Sequence, residues 1–243
     1  MMKNTILVMP GHLGKDTGAI SPHEDTGSDT PCVAPSQERW INLQQVIGFA
    51  VAHTASCLRK HVKACIAVPT DIYARADLAG ISITHGISSI ASRVALANQL
   101  DADVIEIHNN AAQFNARGCE ALCFSMKSNT GGISDSFRLA TNTVEEISKM
   151  GLKSRGVFPS YDRDKRQYVG RNLYLLRATK NAAVITEAGF LTSGKDMGGL
   201  DVDLDGFNEF VGLCIWRGWA KTWLETCSLN ETTKHHIEED LND

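Results

Sequence analysis

The 243-residue sequence predicts an α/β fold: a single domain built on a mostly parallel, twisted sheet with helices on both faces. Two observations carry this. Short apolar runs rich in β-branched residues, at 4–9, 64–68, 103–108 and 182–185, alternate with longer stretches whose apolar residues recur at helical spacing. Such alternation lays strands parallel, because each crossover helix packs back on the sheet and covers a face. The length suffices for one such core and falls short of two.

The elements follow in order. Asn4 to Met9 reads as a buried first strand, closed by Pro10-Gly11 as a tight exit. Residues 13–36 are rich in Gly, Asp, Ser, Thr and Pro without any period, and predict an irregular loop. From Gln37 to about Lys60, Trp40, Leu43, Ile47, Val51 and Leu58 keep helical spacing. Ser36 after Pro35 suits the N-cap, so Glu38 falls in the first turn. Ala64 to Val68 is a second strand, and Ile87, Ile90, Ala91, Val94 and Ala97 mark a helix to about Leu100. Asp103 to His108 is a β-branched strand with the histidine at its exit, and another strand follows at about 119–125. Phe137, Ala140, Val144 and Ile147 predict a helix, and Leu173 to Arg177 a short strand or turn. Ala182 to Ile185 is an apolar strand with Glu187 at its exit. Phe207, Val211, Cys214, Ile215, Trp219 and Trp223 stripe a closing helix, so Trp216, Trp219 and Trp223 read as core rather than as a sugar-stacking platform. The domain thus spans 1–227, and the polar, acidic residues 228–243 predict a frayed tail in which His235-His236 is a solvated pair.

Composition excludes several classes. A formal net charge of −4 leaves no basic footprint for nucleic acid, nor strong electrostatic attraction to an anionic membrane or cell-wall polymer. Nothing approaches the ~18 consecutive apolar residues that span a bilayer. Met1 to Pro10 carries one lysine and a short apolar run without a small-residue cleavage site, so it reads as a strand and not a signal peptide. The seven cysteines form no CxxC pair and read as reduced, buried thiols of a protein made in a cytosol.

Ligands of open α/β sheets bind beyond the carboxyl ends of the strands. His12, His108 and Glu187 all follow strands there, and Glu38 opens a helix. Two neutral imidazoles and a carboxylate around a metal with one open position, plus a separate carboxylate to move protons, suit zinc-assisted hydrolysis. Met9 to Asp16 has the outline of a phosphate-binding loop, but Met9 replaces its first glycine and Asp16 its Mg²⁺-binding hydroxyl residue.

Longer motifs surround these residues. They are Ile6 to Ile20 around Pro10-Gly11-His12, Glu38-Arg39-Trp40-Ile41-Asn42-Leu43, and Ser92 to Asn98 followed by Ile107-His108-Asn109-Asn110-Ala111. Arg117-Gly118-Cys119-Glu120 and Thr186-Glu187-Ala188-Gly189-Phe190-Leu191-Thr192 complete them. In this order, over about residues 5–225, the chain resembles the zinc-dependent N-acetylmuramoyl-L-alanine amidases. The resemblance implies that His12, Glu38 and His108 bind one Zn²⁺ per chain and that Glu187 is the catalytic carboxylate. It implies peptidoglycan or muramyl peptides as substrate, cut between the lactyl group of N-acetylmuramic acid and L-alanine. Without an export signal, the expected setting is a bacteriophage endolysin that accumulates in the host cytosol and reaches the wall after release. The alternatives are a recycling amidase, a zinc peptidase or deacylase on muramyl peptides, and an inactive wall-binding module.

The chain departs from the family in places. Met9 stands where the family usually has Asp, so a carboxylate supporting the metal site is missing. The step from His12 to Glu38 is long, which makes 21–36 an insertion and Glu24 a competing ligand. The helical pattern and Asn42-Leu43 follow Glu38 and favour it. Four more polar residues are candidates to support a ligand or meet substrate, each with a structural alternative. They are Glu106, on the strand face of His108, Asn110, Glu120 and Arg177.

Overall fold

Thr5–Pro10 forms β1 at the heart of the sheet because its side chains are apolar on both sides, with Ile6, Leu7, Val8 and Met9 all fully buried. The computed structural model describes residues 1–12, 38–68, 81–85, 87, 89–112, 116–191, 193, 196 and 204–242. Within these, the strands are β2 (Lys63–Val68), β3 (Ser82–His85), β4 (Asp103–Asn110), β5 (Cys119–Cys123), β6 (Ser154–Pro159), β7 (Tyr161–Asp162), β8 (Gln167–Tyr168) and β9 (Ala183–Phe190). Seven of them form one sheet in the order β3-β2-β1-β4-β9-β5-β6, while β7 and β8 make a separate hairpin.

β1 pairs in parallel with β2 on one side and β4 on the other. The winding direction reverses there, so a crevice opens between the carboxyl ends of β1 and β4. β9 continues in parallel beside β4. β5 then runs antiparallel to β9 and carries β6 parallel to itself.

The helices are α1 (Glu38–Ala55), α2 (Ile90–Gln99), α3 (Asp135–Ser148), α4 (Tyr174–Ala178), α5 (Leu204–Thr226) and α6 (Glu231–Asn242). They cover both faces. Ile6, Val8, Ile105 and Val184 pack with Val46 and Phe49 of α1, Leu139 of α3 and Trp219 of α5. Leu7, Met9, Val104 and Ile185, pointing the other way, pack with Val94 and Ala97 of α2 and Leu175 and Leu176 of α4. Trp216, Trp219 and Trp223 are at most 4% exposed, as their stripe predicts. Cys65, Cys119, Cys123 and Cys214 are buried and Cys57 and Cys227 half-buried; Cys32 lies outside the described residues.

Several expectations need correction. Leu173 to Arg177 is not a strand or turn, because Tyr174–Ala178 coils into α4 and buries Leu175 and Leu176. Residues 228–243, polar and acidic, do not form a frayed tail throughout, since Glu231–Asn242 is the helix α6. Asn230 caps it by accepting from Thr233 N–H at 2.9 Å, and Ile237 buries against the core. The helix predicted from 37 to 60 ends at Ala55 and resumes as a 3₁₀ turn at Cys57–Lys60. The second helix starts at Ile90 rather than Ile87, where Ser89 and Ser92 exchange side-chain bonds in a capping box. β4 and β9 run past their apolar cores, so His108 and Glu187 lie inside strands rather than beyond them. No helix among the described residues is long and apolar enough to cross a membrane.

Close helix contacts lock this arrangement. A β-carbon at Gly212 of α5 would stand 2.4 Å from Gln45 O and 2.6 Å from Phe49 N of α1. Gly212→Ala is therefore expected to force the helices apart and cost about 1–3 kcal/mol, the usual range for overpacking, read from urea denaturation. A stability equal to wild type would contradict the crossing.

Candidate functional site

β1 and β4 end side by side. Gly11 N–H donates to Ile107 O at 2.6 Å, extending the ladder one step past β1. A β-carbon on Gly11 would lie 2.3 Å from Cε1 and Nε2 of His108, so only glycine leaves room for that ring. His12 follows at φ +54°, a left-handed conformation that costs side-chain-bearing residues energy and gathers at functional sites. The two imidazoles meet edge to face, with centroids 4.7 Å apart.

Glu38, the first residue of α1, reaches both rings. Its Oε1 lies 3.2 Å from His12 Nε2 and 3.2 Å from His108 Nδ1. The same oxygen accepts from the Asn109 backbone N–H at 3.2 Å and from Asn42 Nδ2 at 3.4 Å. Behind it, Asn109 Nδ2 donates to Asn42 Oδ1 at 2.8 Å and to Gln45 Oε1 at 3.1 Å. Gln45 Nε2 in turn donates to Asn208 Oδ1 of α5 at 3.1 Å. Glu38, Asn42 and Gln45 share the inward face of α1, and all three are buried. A carboxylate survives such burial only with partners of this kind.

The ligand atoms of His12, Glu38 and His108 all lie within 4.8 Å of one another. Zinc bonds of about 2.0–2.2 Å at tetrahedral angles place neighbouring ligand atoms about 3.3–3.6 Å apart. The two 3.2 Å separations come close to that spacing. Two imidazole nitrogens and a carboxylate oxygen are also a donor set that zinc accepts. The trio fits the ion.

Glu187 stands across the ladder from His108 on β4 and from Glu120 on β5. Its Oε2 is buried without a hydrogen-bond partner among the described residues. Burial pushes the carboxyl from 4.5 up to about 7. Glu38 and Glu120 add to the rise, and His108 and Arg171 oppose it.

The remaining candidates divide. His108 Nε2 lies 3.4 Å from Glu106 Oε2, and Glu106 is ion-paired with Arg93 of α2. Met9 is the Cα partner of Glu106 across β1 and β4. Asn110 Nδ2 donates to Glu120 Oε1 at 3.0 Å, and Arg155 Nε to Glu120 Oε2 at 2.5 Å. Glu106, Asn110 and Glu120 thus surround the trio and Glu187. Arg177 does not join them. It donates to Asn172 Oδ1 at 3.0 Å, lies over the Tyr174 ring, and lines a cavity of about 380 Å³ with Met1, Asn181 and Ala182 at the opposite end of the sheet. Arg171 is the arginine whose charge reaches Glu187, and no sequence pattern singles it out. Gln45 and Asn208 are likewise unmarked, although a glutamine on the buried face of α1 is a signal in itself. Glu24 lies outside the described residues.

Paired histidines and two carboxylates gather toward the carboxyl ends of a mostly parallel sheet, the place where α/β enzymes carry their active sites. The chain belongs to the N-acetylmuramoyl-L-alanine amidase family, whose model matches residues 6–203. Among solved structures it is similar to Cwp6 from Clostridium difficile, at 22% identity and a TM-score of 0.64 over 90% of this chain. It spans only 29% of the length of Cwp6. An N-acetylmuramoyl-L-alanine amidase from Clostridium difficile 630 gives 22% identity and a TM-score of 0.61, covering 91% of this chain and 97% of its own. The catalytic domain of the CD27L endolysin, which targets Clostridia difficile, gives 19% identity and a TM-score of 0.56, covering 89% and 97%. No curated protein sequence matches the chain.

Gly11→Ala is expected to displace the His108 ring and weaken zinc binding by roughly 10–100-fold, the range seen when a ligand's support is lost. Competition with a chromophoric chelator measures it, and unchanged affinity would contradict the packing of that ring on Gly11.

Proposed function

We propose that the protein is a zinc-dependent N-acetylmuramoyl-L-alanine amidase that hydrolyses the amide between the lactyl group of N-acetylmuramic acid and the L-alanine of the stem peptide. The observation that carries this is the convergence of His12, Glu38 and His108 within 4.8 Å beside a desolvated Glu187, in a chain of this family. His12, Glu38 and His108 would hold the zinc, which when bound polarises the amide carbonyl and makes water a nucleophile near neutral pH.

The chain's own residues do the rest. Glu187, with Oε2 desolvated, takes a proton from the attacking water and passes it to the departing alanine nitrogen. Glu120, held by Asn110 and Arg155, sets a negative charge beside it that strengthens its hold on that proton. Asn42 and the Asn109 backbone keep the Glu38 carboxylate aimed at the two imidazoles.

The setting we favour is a bacteriophage endolysin made in the host cytosol. Cys65, Cys119, Cys123 and Cys214 are buried thiols, which suits a protein made in a reducing compartment, and the fold is shared with the CD27L endolysin domain.

Mass analysis of fragments from digested sacculi tests the reaction. Stem peptides with a free L-alanine amine and glycan with a free lactyl carboxyl are expected. Cuts inside the peptide would point to a peptidase, and no fragments at all to a wall-binding module. Glu187→Gln is expected to lower kcat by about 10²–10⁴-fold, the usual worth of a positioned acid–base group, with the zinc retained. Full activity in that variant would overturn the proton transfer assigned to it.

A further inference from the structure

We infer that Glu106, held by Arg93, is a positioning residue for His108: its carboxylate faces the ring's Nε2–H, keeping the proton on that nitrogen and leaving Nδ1 bare toward the metal. The inference rests on the ligand set proposed above.

Geometry comes first. The two nitrogens of the His108 ring face different carboxylates from opposite sides, Nδ1 toward Glu38 at 3.2 Å and Nε2 toward Glu106 at 3.4 Å. A neutral imidazole has one N–H, and a ligating ring must carry it on the nitrogen turned away from the ion. A carboxylate at that outer nitrogen fixes the tautomer, holds the ring plane, and raises the basicity of the ligating atom.

Burial supplies the second argument. Glu106 and Arg93 are each 4% exposed, on the sheet face that α2 and α4 cover. A glutamate there stays ionised only beside a counter-charge, and α2 delivers the Arg93 guanidinium to it. Such a buried pair is a poor source of stability, since apolar residues of similar volume serve as well or better. Its place directly under a proposed ligand gives it another use. Glu106 also pairs with Met9 across the β1–β4 ladder, so no second carboxylate comes from that position of β1.

The test compares wild type, Glu106→Gln, and the double variant Arg93→Met with Glu106→Leu, which removes both charges and strands neither. The readouts are zinc affinity by chelator competition and the ¹⁵N-histidine spectrum of cadmium-113-loaded protein. Wild type is expected to couple cadmium to His108 Nδ1 and to show a slowly exchanging Nε2 proton. The double variant is expected to keep its fold by circular dichroism, lose that proton signal, and bind zinc roughly 10–100-fold more weakly. Glu106→Gln, nearly isosteric and still an acceptor, should fall between, and it carries the comparison by itself should the double variant not fold. Wild-type zinc affinity in both variants, or coupling of cadmium through Nε2, would overturn the inference. A wild-type protein that binds no zinc would instead overturn the ligand set on which it rests.

Discussion

One buried oxygen, Glu38 Oε1, is where three separate stretches of chain are forced to meet. α1 brings the carboxylate, the turn after β1 brings His12, and β4 brings both His108 and the Asn109 amide. Removing a carboxylate from water is so costly that it persists only where hydrogen bonds and opposite charge answer it. The crossing of α1 over the end of β4 is thereby tied to one geometry. Asn42, Gln45, Asn109 and Asn208 carry the constraint back to α5, which is why the helix crossing at Gly212 belongs to the same problem as the site.

The sheet lies between two supports of different chemistry. Neutral amides hold Glu38 on the side of α1 and α5, whereas an ion pair stands under His108 on the side of α2. Carboxylates crowd this end of the molecule. Arg93 answers Glu106 and Arg155 answers Glu120, so the arginines are placed against the carboxylates that flank the cluster. Glu187 is left desolvated, with its proton affinity raised toward neutrality mainly by burial. A group with that affinity can both accept and release a proton under ordinary conditions.

Much of this was legible in the residues, and unevenly so. β1, β2, β4 and β9 announce themselves because a strand covered on both faces must be apolar throughout. α1, α3 and α5 announce themselves by their period. β3 and β6 carry no such signal: β3 is short, β6 has no buried residue, and each gains its extended form from a neighbour's ladder. α6 is polar along most of its length, so composition suggests a loose end, yet Asn230 and Ile237 suffice to cap and anchor it. Arg177 and Arg171 look interchangeable in the sequence, six residues apart around α4. Only the path of that segment decides which of them lies near Glu187.

The sequence by itself determined the alternation of strands and helices, the identity of the histidines and glutamates, and the tight Pro10-Gly11 exit from β1. These are local matters of side-chain chemistry, period and volume. The reversal of β5, the clasping of one imidazole between Glu38 and Glu106, and the sorting of arginines among carboxylates were decided only by the tertiary structure. Contacts between residues tens of positions apart depend on strand register and on which charges must be buried together, and neither quantity is written in any short window of the chain.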